Sequence, residues 1–128
     1  MDKELILKAR EVQKQAYAPY SKLKVGAALL SKSGKIHTGC NVENASYGLS
    51  ICAERAAVFK AIAYGDKEFD SILIITDTEN PVTPCGACRQ VLTEFNPELD
   101  VIMVTKSGKK EKRSLSELLP LAFNISDF

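Results

Sequence analysis

Apolar residues recur at Leu5, Ile6, Ala9, Val12 and Ala16, a spacing that predicts an amphipathic first helix. Ala18-Pro19 ends it, because the residue before a proline avoids the helical region. Val25 to Leu30 reads as a strand, Lys32-Ser33-Gly34 as a turn, and Ile36 to Val42 as the returning strand of a hairpin. From Cys52 to Tyr64 the chain is apolar almost all round, through Ala56, Ala57, Val58, Phe59, Ala61, Ile62 and Ala63, and Gly65 closes the segment. A helix of that kind belongs at the centre of a fold. Ser71 to Ile75 is a continuous apolar strand, and Asp77 to Pro84 is a polar loop. Cys88, Val91, Leu92 and Phe95 stand at helical spacing, with Pro97 closing that helix. Val101 to Val104 is a second wholly apolar strand. Ser107-Gly108 then reads as a turn, Lys110 to Arg113 as a polar strand, and Leu115 to Leu119 as a short last helix before Pro120.

The two apolar strands lack alternation, as expected where helices cover both faces of a sheet. The unit from Ile72 through the third helix to Val104 is therefore expected to be a right-handed parallel crossover. The predicted fold is a three-layer α/β/α sandwich with a mixed five-stranded sheet, built as one domain over residues 1–128. Hydrophobic residues at 45% and charged residues at 26% suit a globule that needs no disulfide staples. Lys plus Arg number 17 against 16 for Asp plus Glu, a net +1, which argues against nucleic acid as a partner. No apolar run approaches the ~20 residues of a membrane helix, so no membrane partner is expected. Met1-Asp2-Lys3-Glu4 lacks an apolar leader region, and the expected location is cytoplasmic. There the four cysteines are metal ligands, redox thiols or small core residues rather than disulfides.

Chemistry concentrates in Cys52-Ala53-Glu54-Arg55 and Pro84-Cys85-Gly86-Ala87-Cys88-Arg89-Gln90, both at predicted helix N-termini. The positive end of a helix favours thiolate, the form that binds metal. Cys85 and Cys88 can grip one ion, and Cys52 makes a third ligand, with zinc the natural choice for so much sulfur. Three protein ligands leave the fourth tetrahedral position to water, whose pKa zinc lowers to ~7. Glu54, two residues from a ligand, is placed to shuttle a proton. Three thiolates on a dication leave a net negative charge, and Arg55 and Arg89 are expected to offset it. A Cys-x-x-Cys also occurs as a redox pair, but a third cysteine two residues before a glutamate has no redox purpose. A structural zinc site would need a fourth ligand, for which Cys40 is the candidate, yet the spacing is not that of a ribbon or finger. Cys40 reads better as a small hydrophobe, and His37, the only histidine, as a surface or core residue.

The two cysteine motifs carry the pattern of zinc nucleobase deaminases, with cysteine in the first ligand position. Tyr17-Ala18-Pro19-Tyr20-Ser21, Val25-Gly26-Ala27-Ala28-Leu29, Gly39-Cys40-Asn41-Val42-Glu43-Asn44-Ala45-Ser46-Tyr47 and Glu117-Leu118-Leu119-Pro120 extend the match over nearly the whole chain. Together they resemble the short, homotetrameric, zinc-dependent cytidine deaminases. The resemblance implies one zinc per subunit on Cys52, Cys85 and Cys88. It implies a Glu54 that moves protons to N3 of cytosine and to the leaving amino group, and conversion of cytidine and 2′-deoxycytidine to their uridines with release of ammonia. It further implies that Asn41 and Glu43 bind ribose, which suits an amide beside a carboxylate, although read alone the pair is a turn after a strand. The Ala53 N–H and the Thr83 carbonyl would face the base edge, Ala45 and Tyr47 would build a site shared between subunits, and Phe123 would stack on the base from a neighbour. Two departures stand out. Leu23 occupies a position where the family commonly has phenylalanine against the pyrimidine, and Leu121 stands where a small residue is usual. Leu23 keeps open a deaminase of a bulkier cytosine nucleoside, such as blasticidin S or an N4-substituted cytidine. A polynucleotide deaminase is disfavoured by the near-neutral charge, since the basic run from Lys106 to Arg113 reads as a solvated hairpin. A non-catalytic zinc-stabilised binding module is the remaining alternative, and it has no use for Glu54.

Overall fold

The computed structural model describes residues 2–127. Helix α1 covers Asp2–Gln13, and the hairpin follows as β1, Val25–Ser31, and β2, Ile36–Cys40. A single 3₁₀ turn at Tyr47–Leu49 precedes α2, Ala53–Tyr64, and then come β3, Phe69–Thr76, α3, Gly86–Phe95, and β4, Asp100–Val104. The polar strand β5, Lys110–Ser114, and the short helix α4, Leu115–Leu118, complete the main elements. The helix expected to run toward Ala16 stops at Gln13. Its end tightens into i→i−3 bonds from Gln15 to Val12 and from Ala16 to Gln13. The return strand stops at Cys40 rather than Val42, because Val42 leaves the ladder to bridge Tyr17 on one side and Ile51 on the other.

Five strands form one sheet in the order β2-β1-β3-β4-β5. Only β3 and β4 run parallel, joined through α3, and the other neighbours are antiparallel. Side chains alternate across this sheet into two cores. On one face Ala28, Leu73, Ile75, Ile102 and Val104 pack under Leu5 and Ala9 of α1. On the other Ala27, Leu29, Ile72, Ile74, Val101 and Met103 meet Ala57, Val58 and Ala61 of α2 and Leu92 of α3. The three-layer sandwich and its mixed five-stranded sheet are as the sequence predicts.

Two glycines let the helices touch the hairpin backbone. A Cβ on Gly26 would lie 2.1 Å from the Ala9 carbonyl oxygen of α1. On the opposite face, a Cβ on Gly39 would lie 2.4 Å from the Ala57 nitrogen and 2.6 Å from the Ala53 oxygen of α2. Neither position has room for any side chain, so β2 carries the first turns of α2 directly on its main chain. That contact sets where residues 52–54 stand. At the far end of α2, His37 is buried and its Nε2 lies 2.8 Å from Asp66 Oδ2. The histidine thus ties the hairpin to the segment after α2 and is a core residue. Along the exposed edge, Lys110 pairs with Asp2, Lys112 with Asp100 and Arg113 with Glu111, each partner about half-exposed. This is the solvated strand expected from its composition.

Candidate active site

Cys52 is the N-cap of α2 and Cys85 the N-cap of α3, while Cys88 is the third residue of α3. Neither cap side chain bonds its own helix; the sulfurs face one another instead. Sγ of Cys85 lies 3.6 Å from that of Cys52 and 3.5 Å from that of Cys88. Tetrahedral zinc, with bonds of about 2.3 Å, would hold its sulfurs about 3.8 Å apart, so this triangle is the right size. The electrostatics agree. Cys52 drops to about 5, because the Cys88 thiol donates to it and the Arg55 guanidinium and Cys85 assist. Cys88 is pushed far upward by that same partner and by burial. One negative charge is therefore comfortable among the sulfurs and a second is not, unless a cation joins them. Three soft donors, no fourth protein ligand and a charge deficit of this sign fit one zinc ion with an open position. Among the described residues this is the one group of three acidic, histidine or cysteine side chains close enough to share an ion. Cys40 and His37 lie outside it.

Glu54 follows from the same helix start. It is 5% exposed, and burial pushes its carboxyl up to about 7, with the negative charge on Cys52 adding to the rise. Its carboxyl feels the charge on Cys52 and the neighbouring Cys88 thiol, so it looks onto the sulfurs without being one of the triangle. Arg55 places Nη2 3.4 Å from Cys52 Sγ, and that bond holds the guanidinium still more firmly in its charged form. The buried Nε of Arg55 has no partner among the described residues. Arg89, expected beside Arg55 as a charge partner, directs its guanidinium elsewhere. Its Nε donates to the Pro84 carbonyl at 2.8 Å and its Nη1 to the Leu118 carbonyl at 2.5 Å. It braces the loop ahead of Cys85 against α4.

The polar pair after β2 fastens the approach to β1. Asn41 accepts the Val25 N–H at Oδ1 and donates from Nδ2 to the Leu23 carbonyl, both at 2.8 Å. Glu43 accepts the N–H groups of Tyr20 and Ser21 and the Ser21 hydroxyl, which hold its carboxyl below the usual carboxylate range. Glu43 also lines a hollow of ≈ 380 Å³ with Tyr20, Ser21, Tyr47 and Ser50. The sulfurs are not in its walls. Leu23, 36% exposed, follows Ser21 and Lys22 in the chain, and its carbonyl accepts the Asn41 amide. Ala45 and Tyr47 are exposed, Ala53 is the buried first residue of α2, and Thr83 is exposed two residues before Cys85. Phe123 lies in a separate hollow with Leu119, Pro120 and Leu121, its carbonyl accepting from Gln90. One chain thus gathers Cys52, Cys85, Cys88, Glu54 and Arg55, while Phe123 and Glu43 line different hollows. Sequence reasoning assigned no task to Ser21. Its signal was only its place in a matched stretch, because its partner lies 22 residues away.

Residues 1–105 match the family model of the cytidine and deoxycytidylate deaminase zinc-binding region. A cytidine deaminase of Sporosarcina psychrophila is 47% identical over 129 residues, which cover 99% of this chain and 95% of that protein. The crystal structure of cytidine deaminase from Burkholderia pseudomallei superposes with a TM-score of 0.93 at 48% identity, over 96% of this chain and 99% of that one. A blasticidin-S deaminase from Bacillus cereus is more remote, 30% identical over 95% of this chain and 91% of its own length.

Proposed function

The chain belongs to the cytidine and deoxycytidylate deaminase family, and from that premise we propose that it hydrolyses the amino group from cytidine and 2′-deoxycytidine, giving uridine and 2′-deoxyuridine with release of ammonia. The observation that carries this reading is Glu54, a buried carboxyl that looks onto three clustered thiols without joining them. Cys52, Cys85 and Cys88 hold one zinc per subunit. Bound there, zinc supplies Lewis acidity and brings the pKa of water to ~7. Glu54 would take a proton from the attacking water and deliver it to N3 of the cytosine ring, then take a second proton from the new C4 hydroxyl and deliver it to the amino group, which leaves as ammonia while the C4 carbonyl forms. A carboxyl lifted to about 7 suits that exchange near neutrality. Arg55 offsets the anionic sulfurs, and Arg89 keeps the Pro84 turn in place.

The Ala53 N–H and the Thr83 carbonyl orient the base edge, while Asn41 and Glu43 serve the sugar. Ala45, Tyr47 and Phe123 act in a homotetramer with shared sites, a reading supported by their exposure in the single chain and by Phe123 and Glu43 lining different hollows. Residues 1–128 work as one catalytic domain. A cytoplasmic location suits the free cysteines, and among the described residues no helix is long and apolar enough to cross a membrane. Leu23 favours a second substrate range, a bulkier cytosine nucleoside, because an aliphatic side chain where the family commonly has a ring would cover less of the base plane. The test is cytidine turnover by zinc-loaded protein, followed by ultraviolet absorbance, beside Glu54→Gln. The variant is expected to keep its zinc and lose activity by ~10²–10⁴-fold. Equal turnover by both proteins would remove Glu54 from the reaction, and turnover of bulkier cytosine nucleosides alone would move the substrate to the second range.

A further inference from the structure

We propose that Ser21 is a positioning residue that aims the Glu43 carboxylate at a sugar hydroxyl. The inference rests on Glu43 being a sugar-binding residue, as proposed above. Its force comes from counting donors and acceptors. An ionised carboxylate offers about four lone-pair sites and no proton. The N–H groups of Tyr20, at 3.0 Å, and Ser21, at 3.1 Å, both go to Oε1 of Glu43. The Ser21 hydroxyl donates to Oε2. That hydroxyl has no freedom to turn, because its oxygen accepts the Leu23 N–H at 3.0 Å and so leaves its one proton for Glu43. Three sites on the carboxylate are thus filled from within the chain. The last belongs to Oε2 of a residue that lines the hollow together with Tyr20, Ser21, Tyr47 and Ser50. An acceptor with a single vacancy receives a donor such as a hydroxyl. It repels a phosphate.

The backbone adds a second observation. Lys22, between Ser21 and Leu23, has φ 64, a left-handed conformation that lysine rarely adopts. Such a residue persists where its surroundings over-determine it. Here the bonds that Tyr20 and Ser21 donate to Glu43 and that Leu23 donates to Ser21 close around it. Ser21 therefore couples the shape of this loop to the direction of the carboxylate. Ser21 is exposed, so its substitution disturbs no core.

The experiment measures KM and kcat for cytidine and for 2′,3′-dideoxycytidine in the zinc-loaded enzyme and in Ser21→Ala, Ser21→Thr and Glu43→Gln. Loss of a hydrogen bond to a charged group predicts that Ser21→Ala raises the cytidine KM about tenfold, with kcat within about twofold. Ser21→Thr, which keeps the hydroxyl, restores the KM. With the dideoxy substrate, which lacks the ring hydroxyls, Ser21→Ala has no further effect. An equal rise on both substrates, or no rise on cytidine while Glu43→Gln raises it, overturns the role of Ser21 and leaves Glu43 in place. An unchanged cytidine KM in Glu43→Gln overturns the sugar-binding reading itself, and the proposal with it.

Discussion

Arg55 brings a guanidinium to the sulfurs, 3.4 Å from Cys52. Three thiolates on a dication carry a net negative charge, and a guanidinium in contact with one of them lowers the cost of holding it. Partners that touch a metal ligand typically contribute 10–100-fold to affinity, so Arg55→Ala is expected to weaken zinc retention by about that factor. Competition with a chromophoric chelator measures it, and unchanged retention would leave Arg55 without this task. Arg89 is the instructive contrast. Both arginines follow a cysteine motif closely, and the sequence assigned them the same role. Only the fold reveals that α4 offers Arg89 the Leu118 carbonyl. The cysteines and Glu54 were legible because a ligand set at helix starts writes itself in two short local motifs. The tasks of Ser21 and Arg89 were not, because each depends on a partner distant in sequence.

At the scale of elements, the decisive contact is β2 against α2. The Cβ that Gly39→Ala would add meets main-chain atoms of Ala57 and Ala53, which cannot swing aside as a side-chain tip can. The helix must lift or the hairpin must bend. Overpacking of this kind costs about 1–3 kcal/mol and sometimes more. The variant is expected to lose at least that much in a denaturant titration, and to show reduced turnover even where it is folded, since Cys52 and Glu54 ride on the displaced turn. Full activity in a destabilised protein would mean that the site tolerates movement of α2. Apolar patterning placed the buried strands and helices, a turn signal and composition placed the polar β5, and the reading missed mainly at element ends. Val42 is apolar and alternates correctly, so nothing local could say that Tyr17 and Ile51 would draw it out of the ladder.

Across the whole molecule, three sulfurs join two helix starts separated by 33 residues of chain. An ion shared between them closes that loop much as a covalent cross-link would, an effect of roughly 3–4 kcal/mol by loop entropy. Removing metal with a chelator is expected to lower the melting temperature by about 10 °C, restored on adding zinc, as scanning calorimetry would record. An unmoved transition would mean that the packed helices hold their places unaided. The layered architecture was legible from the apolar strands and the all-round apolar helix, because those patterns suit few arrangements. Which surfaces meet across a subunit boundary was not, since exposed residues such as Tyr47 and Phe123 read like any others on a chain. The glycine contact beneath α2 has a last consequence, for how such a protein can change over generations. Position 39 admits no replacement without moving the turn that carries Cys52 and Glu54, whereas Leu121 is fully exposed and Leu23 about one-third exposed. Drift is therefore blocked at the packed seat of Cys52 and Glu54 and freer at exposed positions, so a descendant can change its surface while inheriting that turn intact.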